Sequence, residues 1–378
     1  MTIGIDIRTL MDAHYSGVSE YTLNLLKNIL ALDKTNKYVL FLNSAKDIKL
    51  PEFKQSNVWL VYRRFPNKFL NYGLFKFLNY PKVDKLMRQS VDIWWMPHFN
   101  FISLPAGKNI LTFHDLSFLR YPEFFSTRKN FWHKMVNVKK LTKKFDHIVA
   151  ISENTKRDLI ELCDLPEDKI TVIFSAISNK YKKVEEQNKL ARVKQKYGLP
   201  KKFILYLGTI EPRKNIESLI LAYNDLRDNN QFLYDHELII AGADGWKSKQ
   251  VYDIADKSPY YSNIKFLGYV DDEDKACLYS LASLFVFPSF YEGFGFPPLE
   301  AAACGTPVVS SFASSIPEIM ADSALLVDPY NYRQISLAME QVLTNEELKQ
   351  KLIAKGLQRA KEFNWQKTAL GYLKLFEQ

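Results

Sequence analysis

The strongest constraint on this chain is an alternation of short apolar runs with longer amphipathic segments, which fills the first half and then starts again. In the first half the apolar runs are 3–7, 38–42, 58–62, 93–96, 109–113 and 147–151, rich in β-branched and aromatic residues. Between them, 17–32, 70–89, 127–144 and 153–163 have helical periodicity. Strands apolar on both faces, joined by helix-length crossovers, predict a parallel sheet covered on both sides. Segment 181–202 is charged and reads as a linker with a short helix. The pattern then resumes with strands at 203–207, 237–241, 263–267, 284–287, 307–310 and 324–327, and ends in helices over 346–363 and 364–376. The expectation is an α/β protein of two doubly wound, Rossmann-like domains facing each other across a cleft. Its division is 1–180, a linker at 181–200, and 201–363, with a C-terminal helix 364–378 able to pack back onto the first domain. Ligands of such sheets bind at the carboxyl ends of strands, so residues just after strands carry the functional signal.

Composition narrows the class. A length of 378 residues suits two or three domains, and 47% hydrophobic with 25% charged residues excludes a disordered chain or a small disulfide scaffold. The net charge of +9 is unevenly placed. Residues 1–180 hold 27 Lys/Arg against 17 Asp/Glu, and residues 181–378 hold 24 against 25. Cys163, Cys277 and Cys304 follow no metal or disulfide spacing and fit a reducing compartment. The opening MTIGIDIRTL has no signal-peptide pattern, and no uncharged run reaches the ~20 apolar residues of a membrane span. A cytoplasmic protein is expected.

The densest chemistry lies in the second half. The run LGTIEPRKN at 207–215 follows the first strand of the second array and puts Arg213 and Lys214 where a helix starts. Cations there oppose the helix dipole, a conflict that an anionic ligand such as a phosphate would remove; a plain surface pair is the alternative. The run SFYEGFGFPPLE at 289–300 leads from a strand into a helix beginning near Pro297. Gly293 and Gly295 let backbone amides approach a ligand, and Glu292 and Glu300 are acceptors suited to vicinal hydroxyls. Dipole-favouring acids alone would account for Glu300 but not for the glycines.

The pair Glu292 and Glu300 with seven residues between them, EPRKN at 211–215 and ACGTPVV at 303–309 together resemble the retaining nucleotide-sugar glycosyltransferases of family four (group 1), which have the GT-B fold. The resemblance covers nearly the whole chain and is densest over 203–330. It implies that Arg213 and Lys214 bind a donor diphosphate and that Glu300 accepts hydrogen bonds from ribose hydroxyls. Glu292 would lie by the transferred sugar, with Gly293, Phe294 and Gly295 presenting amides. The turn with Tyr269 and Val270 matches the segment whose backbone meets the nucleobase. SIPE at 315–318 resembles a family turn for which a structural role fits equally well.

In the first half, the loop of DAHYSGVSEY at 12–21 has Ser16–Gly17 where family members commonly carry a glycine pair contacting donor phosphate and acceptor; Ser16 as a helix cap is the plain alternative. His114, at a strand end in FHD, matches the family histidine beside the transferred sugar. Asp115 would orient it or cap the next segment, and Ser152 reads as a helix cap. Segments 63–82 and 121–144 interleave cations with aromatic residues, the pattern of an interfacial element on an anionic membrane; solvated lysines over an aromatic core is the competing reading. No recognition motif points to nucleic acid.

The resemblance implies a hexosyltransferase that breaks the bond between an anomeric carbon and a diphosphate, with no resident cofactor and no metal, because Arg213 and Lys214 supply the positive charge. Asp272, Glu273 and Asp274 mimic a metal-binding DxD run but read better as cap and first-turn acids. The form YEGFGFPPLE resembles bacterial mannosyltransferases of surface polysaccharide and O-antigen (lipopolysaccharide) assembly. That points to GDP-mannose as donor and a glycan or polyprenyl-linked acceptor at the inner face of the membrane. The alternatives are a UDP-hexose donor, a nucleotide-sugar epimerase on the same fold, or a non-catalytic binder.

Overall fold

A computed structural model of the protein describes residues 1–11, 17–230 and 233–378. The chain divides into two compact units, one of Met1–Arg120, Thr127–Ala176 and Trp365–Gln378, the other of Tyr121–Ser126 and Ile177–Asn364. The stretch 177–200 therefore belongs to the second unit, as does the short excursion Tyr121–Ser126, and the last helix belongs to the first. Among the described residues, no helix is long and apolar enough to cross a membrane.

The first unit is a seven-stranded parallel sheet of β1 (Thr2–Asp6), β2 (Lys37–Asn43), β3 (Val58–Arg63), β4 (Ile93–Met96), β5 (Lys108–Phe113), β6 (His147–Ala150) and β7 (Ile170–Val172). Its order is β3-β2-β1-β4-β5-β6-β7, so the winding reverses between β1 and β4. Every residue of β4 is buried, Trp94 and Trp95 completely. Gly4 on β1 makes room for that bulk, because a Cβ there would lie 2.6 Å from Trp94 Cε3. Strand β7 has only three residues, too few for a periodic signal, and the sequence reading does not include it.

Helix Gly17–Leu32 buries Tyr21, Leu25, Leu26, Ile29 and Leu30 on one stripe and packs against the C-terminal helix Trp365–Glu377. A chain of hydroxyls ties this layer to the sheet: Tyr21 Oη to Tyr372 Oη at 2.8 Å, then Tyr372 Oη to Thr112 Oγ1 at 2.6 Å. Trp95 Nε1 donates to the same Thr112 oxygen at 3.0 Å. These buried polar groups are satisfied by one another, which fixes the register of the last helix.

Two helices expected to be continuous are broken. Segment 70–89 forms a π-helix, Phe69–Leu78, ending at a left-handed Asn79, and then a short helix, Val83–Met87. Pro81 lies in the gap, lacks an N–H and steers its predecessor away from helical geometry. Segment 127–144 splits into Thr127–Val136 and Val138–Thr142 at Asn137, whose φ is 51°. Asparagine tolerates that conformation better than other residues with a Cβ.

The second unit repeats the architecture with six parallel strands: β8 (Lys202–Leu207), β9 (His236–Ala241), β10 (Ile264–Gly268), β11 (Leu284–Phe287), β12 (Val308–Ser311) and β13 (Leu325–Val327). The order β10-β9-β8-β11-β12-β13 reverses between β8 and β11. The stretch expected as a linker with a short helix carries helix Gln187–Tyr197, closed by a left-handed Gly198.

Candidate functional site

In the second unit, the loops that leave β8 and β11 emerge side by side at the point where strand order reverses, the place where open α/β sheets bind ligands. After β8 the chain makes a 3₁₀ turn, Pro212–Lys214, and a left-handed Asn215 before helix Ile216–Asn229. Asn215 Nδ2 donates to Pro288 O at 3.0 Å and Pro329 O at 2.6 Å, which pins this loop to those after β11 and β13.

Glu292, in the loop after β11, is the hub. Its Oε1 accepts from Lys214 Nζ at 2.6 Å and from Ser289 Oγ at 2.6 Å, and its Oε2 accepts from Arg213 Nη1 at 3.0 Å. Arg213 also donates to Glu211 Oε1 through Nη2 at 2.8 Å and Nε at 3.1 Å, and to Tyr291 O at 2.7 Å. Lys214 Nζ stands 5.0 Å from the centre of the Phe287 ring. Two cations and two carboxylates are thus interlocked in a largely buried cluster. Burial alone would raise the Glu292 carboxyl, but the Arg213 and Lys214 charges and two hydrogen bonds overcome it and bring it down to about 2. Burial and the neighbouring Arg213 charge pull the Lys214 ammonium below its ordinary value, against the opposing pull of Glu292 and Glu211.

This corrects one expectation. The sequence places Arg213 and Lys214 where a helix starts, with their charges either met by an anionic ligand or left as a plain surface pair. They lie in a 3₁₀ turn separated from the helix by Asn215, and Glu211 and Glu292 supply the counter-charges from within the chain. The arrangement holds a guanidinium and an ammonium in fixed relation. That is what stabilising charge developing on a leaving phosphate requires.

Glu300 lies in helix Phe296–Ala303, where its Oε2 accepts from Tyr279 Oη at 3.0 Å. Burial and the Glu300 charge push the Tyr279 hydroxyl well above its ordinary value, so it stays a donor. Gly295 caps this helix at φ 102°, and a Cβ there would sit 2.5 Å from Ile316 Cδ1, so only glycine fits. The Phe294 side chain is core, packed on Phe296 and Phe363, which leaves its backbone as the part available to a ligand. Gly293 lies between Glu292 and Phe294 in the same turn. Tyr269 and Val270 follow β10 at the same end of the sheet, Tyr269 exposed and Val270 buried.

In the first unit, His114 follows β5. Its Nε2 meets Pro97 O at 2.8 Å, and Tyr21 stands edge-on to its ring at 4.6 Å. Burial lowers its pKa, and a carbonyl can only accept, so the neutral ring carries its proton on Nε2 and presents Nδ1 as an acceptor. Asp115 accepts from Ser117 N at 3.0 Å and Ser117 Oγ at 2.6 Å; of its two expected roles, capping is the one with hydrogen bonds. Ser152 caps its helix as expected, accepting from Thr155 N at 3.1 Å. Gly17 opens helix Gly17–Leu32, and a Cβ there would meet no atom of the described residues within 4 Å, so packing does not require the glycine. Ser16 lies outside the described residues.

Sequence reasoning gave no separate role to Glu211, Ser289, Tyr279 and Ser314, which hold the site together, whereas Ser315, in the turn for which a structural role was one reading, donates to the Glu292 carbonyl at 2.9 Å. It also missed a cavity of about 220 Å³ in the first unit at the carboxyl ends of β1 and β4, whose lining includes His98 and Asn100. Of the acids at 272–274, expected as cap and first-turn residues, Asp274 occupies the N-cap position of helix Lys275–Leu281, but its side chain makes no capping bond and pairs with Arg192 and Lys196, while Asp272 pairs with Lys180 and Lys275. Among the described residues, no group of three or more His, Cys, Asp or Glu could hold a metal ion, and all three cysteines are buried thiols.

Comparison with known proteins places this geometry. Residues 187–359 match the family model described as glycosyl transferases group 1, and residues 15–179 match that of glycosyltransferase family 4. The chain is 31% identical over 360 residues to the O-antigen chain mannosyltransferase B of Escherichia coli, covering 93% of each. It is 35% identical over 277 residues to the serotype-specific mannosyltransferase WbdA of the same species, covering 71% of this chain and 34% of that one. The structure of sucrose-phosphate synthase from Thermosynechococcus elongatus superposes with a TM-score of 0.76 at 20% identity, over 100% of this chain and 98% of that one, a likeness of fold. Two Rossmann-ordered sheets, both family matches and a full-length relative agree: the chain belongs to the group 1, family 4 glycosyltransferases and has the GT-B fold.

Proposed function

We propose that the protein transfers a hexose from a nucleotide diphosphate sugar to a hydroxyl group of a glycan or polyprenyl-linked acceptor, with retention at the anomeric carbon. The observation that carries this is the cluster in which Glu292 holds Lys214 and Arg213 at the carboxyl ends of β8 and β11. In the reaction the bond from the anomeric carbon to the diphosphate oxygen breaks, and its electron pair stays with the phosphate. The acceptor oxygen forms the new bond on the same face and passes its proton to the departing phosphate. The N–H groups of Lys214 and Arg213 stabilise the charge gathering on that phosphate, without a metal. Glu292, which fixes both cations, would meet the hydroxyls of the transferred sugar, assisted by the amides of Gly293, Phe294 and Gly295.

The rest of the donor falls to neighbouring loops. Glu300, held by Tyr279, would accept from the ribose hydroxyls, and the backbone at Tyr269 and Val270 would meet the base. The loop of Ser16 and Gly17 would approach the diphosphate, since no atom of the described residues packs where a side chain at 17 would begin. The Nδ1 of His114 would accept from a sugar hydroxyl near the reacting carbon. Mannose from GDP-mannose is the favoured donor, supported by the two mannosyltransferases to which the chain is similar, and surface polysaccharide assembly is the favoured setting. The test is nucleotide release from a panel of GDP- and UDP-sugars, with and without a membrane extract as acceptor source. Acceptor-dependent release of GDP from GDP-mannose is expected. Release from no donor under either condition would sink the transferase reading, and isomerised sugar with free UDP would favour an epimerase.

A further inference from the structure

We propose that the solvent face of helices Phe69–Leu78 and Thr127–Val136 in the first unit docks on an anionic lipid bilayer. Seven of the ten residues of the first helix, FLNYGLFKFL, are leucine or aromatic, yet only Leu70 and Phe75 are buried. A helix apolar on all sides belongs in a protein core or in lipid, and this one is half in solvent. Phe69 is 55% exposed, Phe77 72%, Leu78 67% and, just beyond the helix, Tyr80 66%. The two helices are neighbours: Lys76 Nζ donates to Met135 O at 2.5 Å, and Tyr72 and Trp132 both pack on Phe101. The second helix adds Phe131 at 64% exposure. Single exposed apolar side chains are ordinary, but such a concentration marks a contact surface.

Charge selects the occupant. Residues 53–83 and 124–145 hold thirteen Lys and Arg and no Asp or Glu. Lys68 and Lys82 flank the exposed side chains of the first helix, and Arg128 and Lys134 those of the second, all four exposed. A second copy of the chain would bring cations against cations and is disfavoured. A bilayer with anionic headgroups satisfies both halves of the surface: phenylalanine and leucine enter the acyl boundary while lysine and arginine stay with the phosphates. The expected membrane segment 121–144 is trimmed by this geometry, because Tyr121–Ser126 belongs to the other unit.

The test is flotation of the full-length protein with vesicles of equal parts phosphatidylglycerol and phosphatidylcholine, against vesicles of phosphatidylcholine alone. The protein should float with the anionic vesicles, release in high salt and ignore the neutral ones. Phe77→Ser with Leu78→Ser should reduce partition about tenfold or more through lost insertion. Lys68→Glu with Lys82→Glu should do the same through charge, while an unchanged circular dichroism spectrum and melting temperature show that both variants fold. Equal binding to neutral vesicles, variants that float like the parent, retention of a single-stranded oligonucleotide in place of vesicles, or self-association abolished by the serine variant would each overturn the proposal. Because the readout is binding and not turnover, its failure would leave the donor reading standing.

Discussion

The cations of the two units are used in opposite ways. In the second unit Arg213 and Lys214 are nearly buried, and Glu211 and Glu292 cancel their charge within hydrogen-bond distance. In the first, the segments around Phe69–Leu78 and Thr127–Val136 contain no acid of their own, and the ion pairs their cations make, such as Arg64 with Asp47 and Lys139 with Asp164, are on the surface. Net charge therefore misdirects: the half proposed to hold the donor diphosphate is close to neutral, and the basic excess lies elsewhere. Buried charges must be paired or they would not stay charged, so an anion site of this kind is invisible to charge counting. Exposed charges can remain unpaired at little cost and act at a distance.

Substitutions sharpen this contrast, beginning with the largest effect. Lys214→Ala should lower the rate of nucleotide release by ~10²–10³, because a fixed donor to the leaving phosphate is lost. A rate within a few-fold of the parent would remove Lys214 from the site. Next comes pH. The Glu292 carboxyl ionises at about 2 in the folded protein, below its unfolded value, so its contribution is fully present above the unfolded value and is lost as pH falls through about 2. That contribution is on the order of 3 kcal/mol. Glu292→Gln should be less stable than the parent at neutral pH and should show a shallower loss of stability in acid, as read by denaturant titration across that range. Parallel acid profiles would show that the pairing contributes nothing.

Tyr279→Phe removes one hydrogen bond to Glu300 and should raise the KM for donor by about three- to tenfold with little change in kcat. A fall in kcat at constant KM would place Glu300 in the chemical step and not in ribose recognition. The smallest effect belongs to the first unit: Lys82→Ala should change folding stability by less than about 0.5 kcal/mol. A larger loss would show that the exposed cations, too, are structural.

How much of this was legible follows from the range of each interaction. Strand and helix periodicity are local, so twelve of the thirteen strands among the described residues are found within one residue at each end, and helices Gly17–Leu32 and Glu153–Cys163 to the residue. The breaks at Asn79 and Asn137 turn on single left-handed residues inside otherwise periodic segments, which a periodicity count averages away. The candidate site residues follow from order and spacing along the chain. Their partners are less legible: Glu211 and Ser289 are two and three residues from Arg213 and Glu292 but pair through side-chain directions that periodicity does not encode, and Tyr279 reaches Glu300 from 21 residues away. The dipole argument for Arg213 and Lys214 leaves out the counter-charges within the chain: Glu211 is two residues from Arg213, and Glu292 is 78 residues from Lys214 in sequence and 2.6 Å away in space.

The claim that matters most is that this Glu292-held pair is the donor diphosphate site. Calorimetric titration of GDP and UDP beside GMP and UMP tests it directly, with the parent and Lys214→Ala side by side. The account predicts that the parent binds one of the diphosphates about tenfold or more tightly than its monophosphate, and that Lys214→Ala loses this preference while keeping its affinity for the monophosphate. Equal binding of mono- and diphosphates by the parent, or an undiminished preference in the variant, would contradict it.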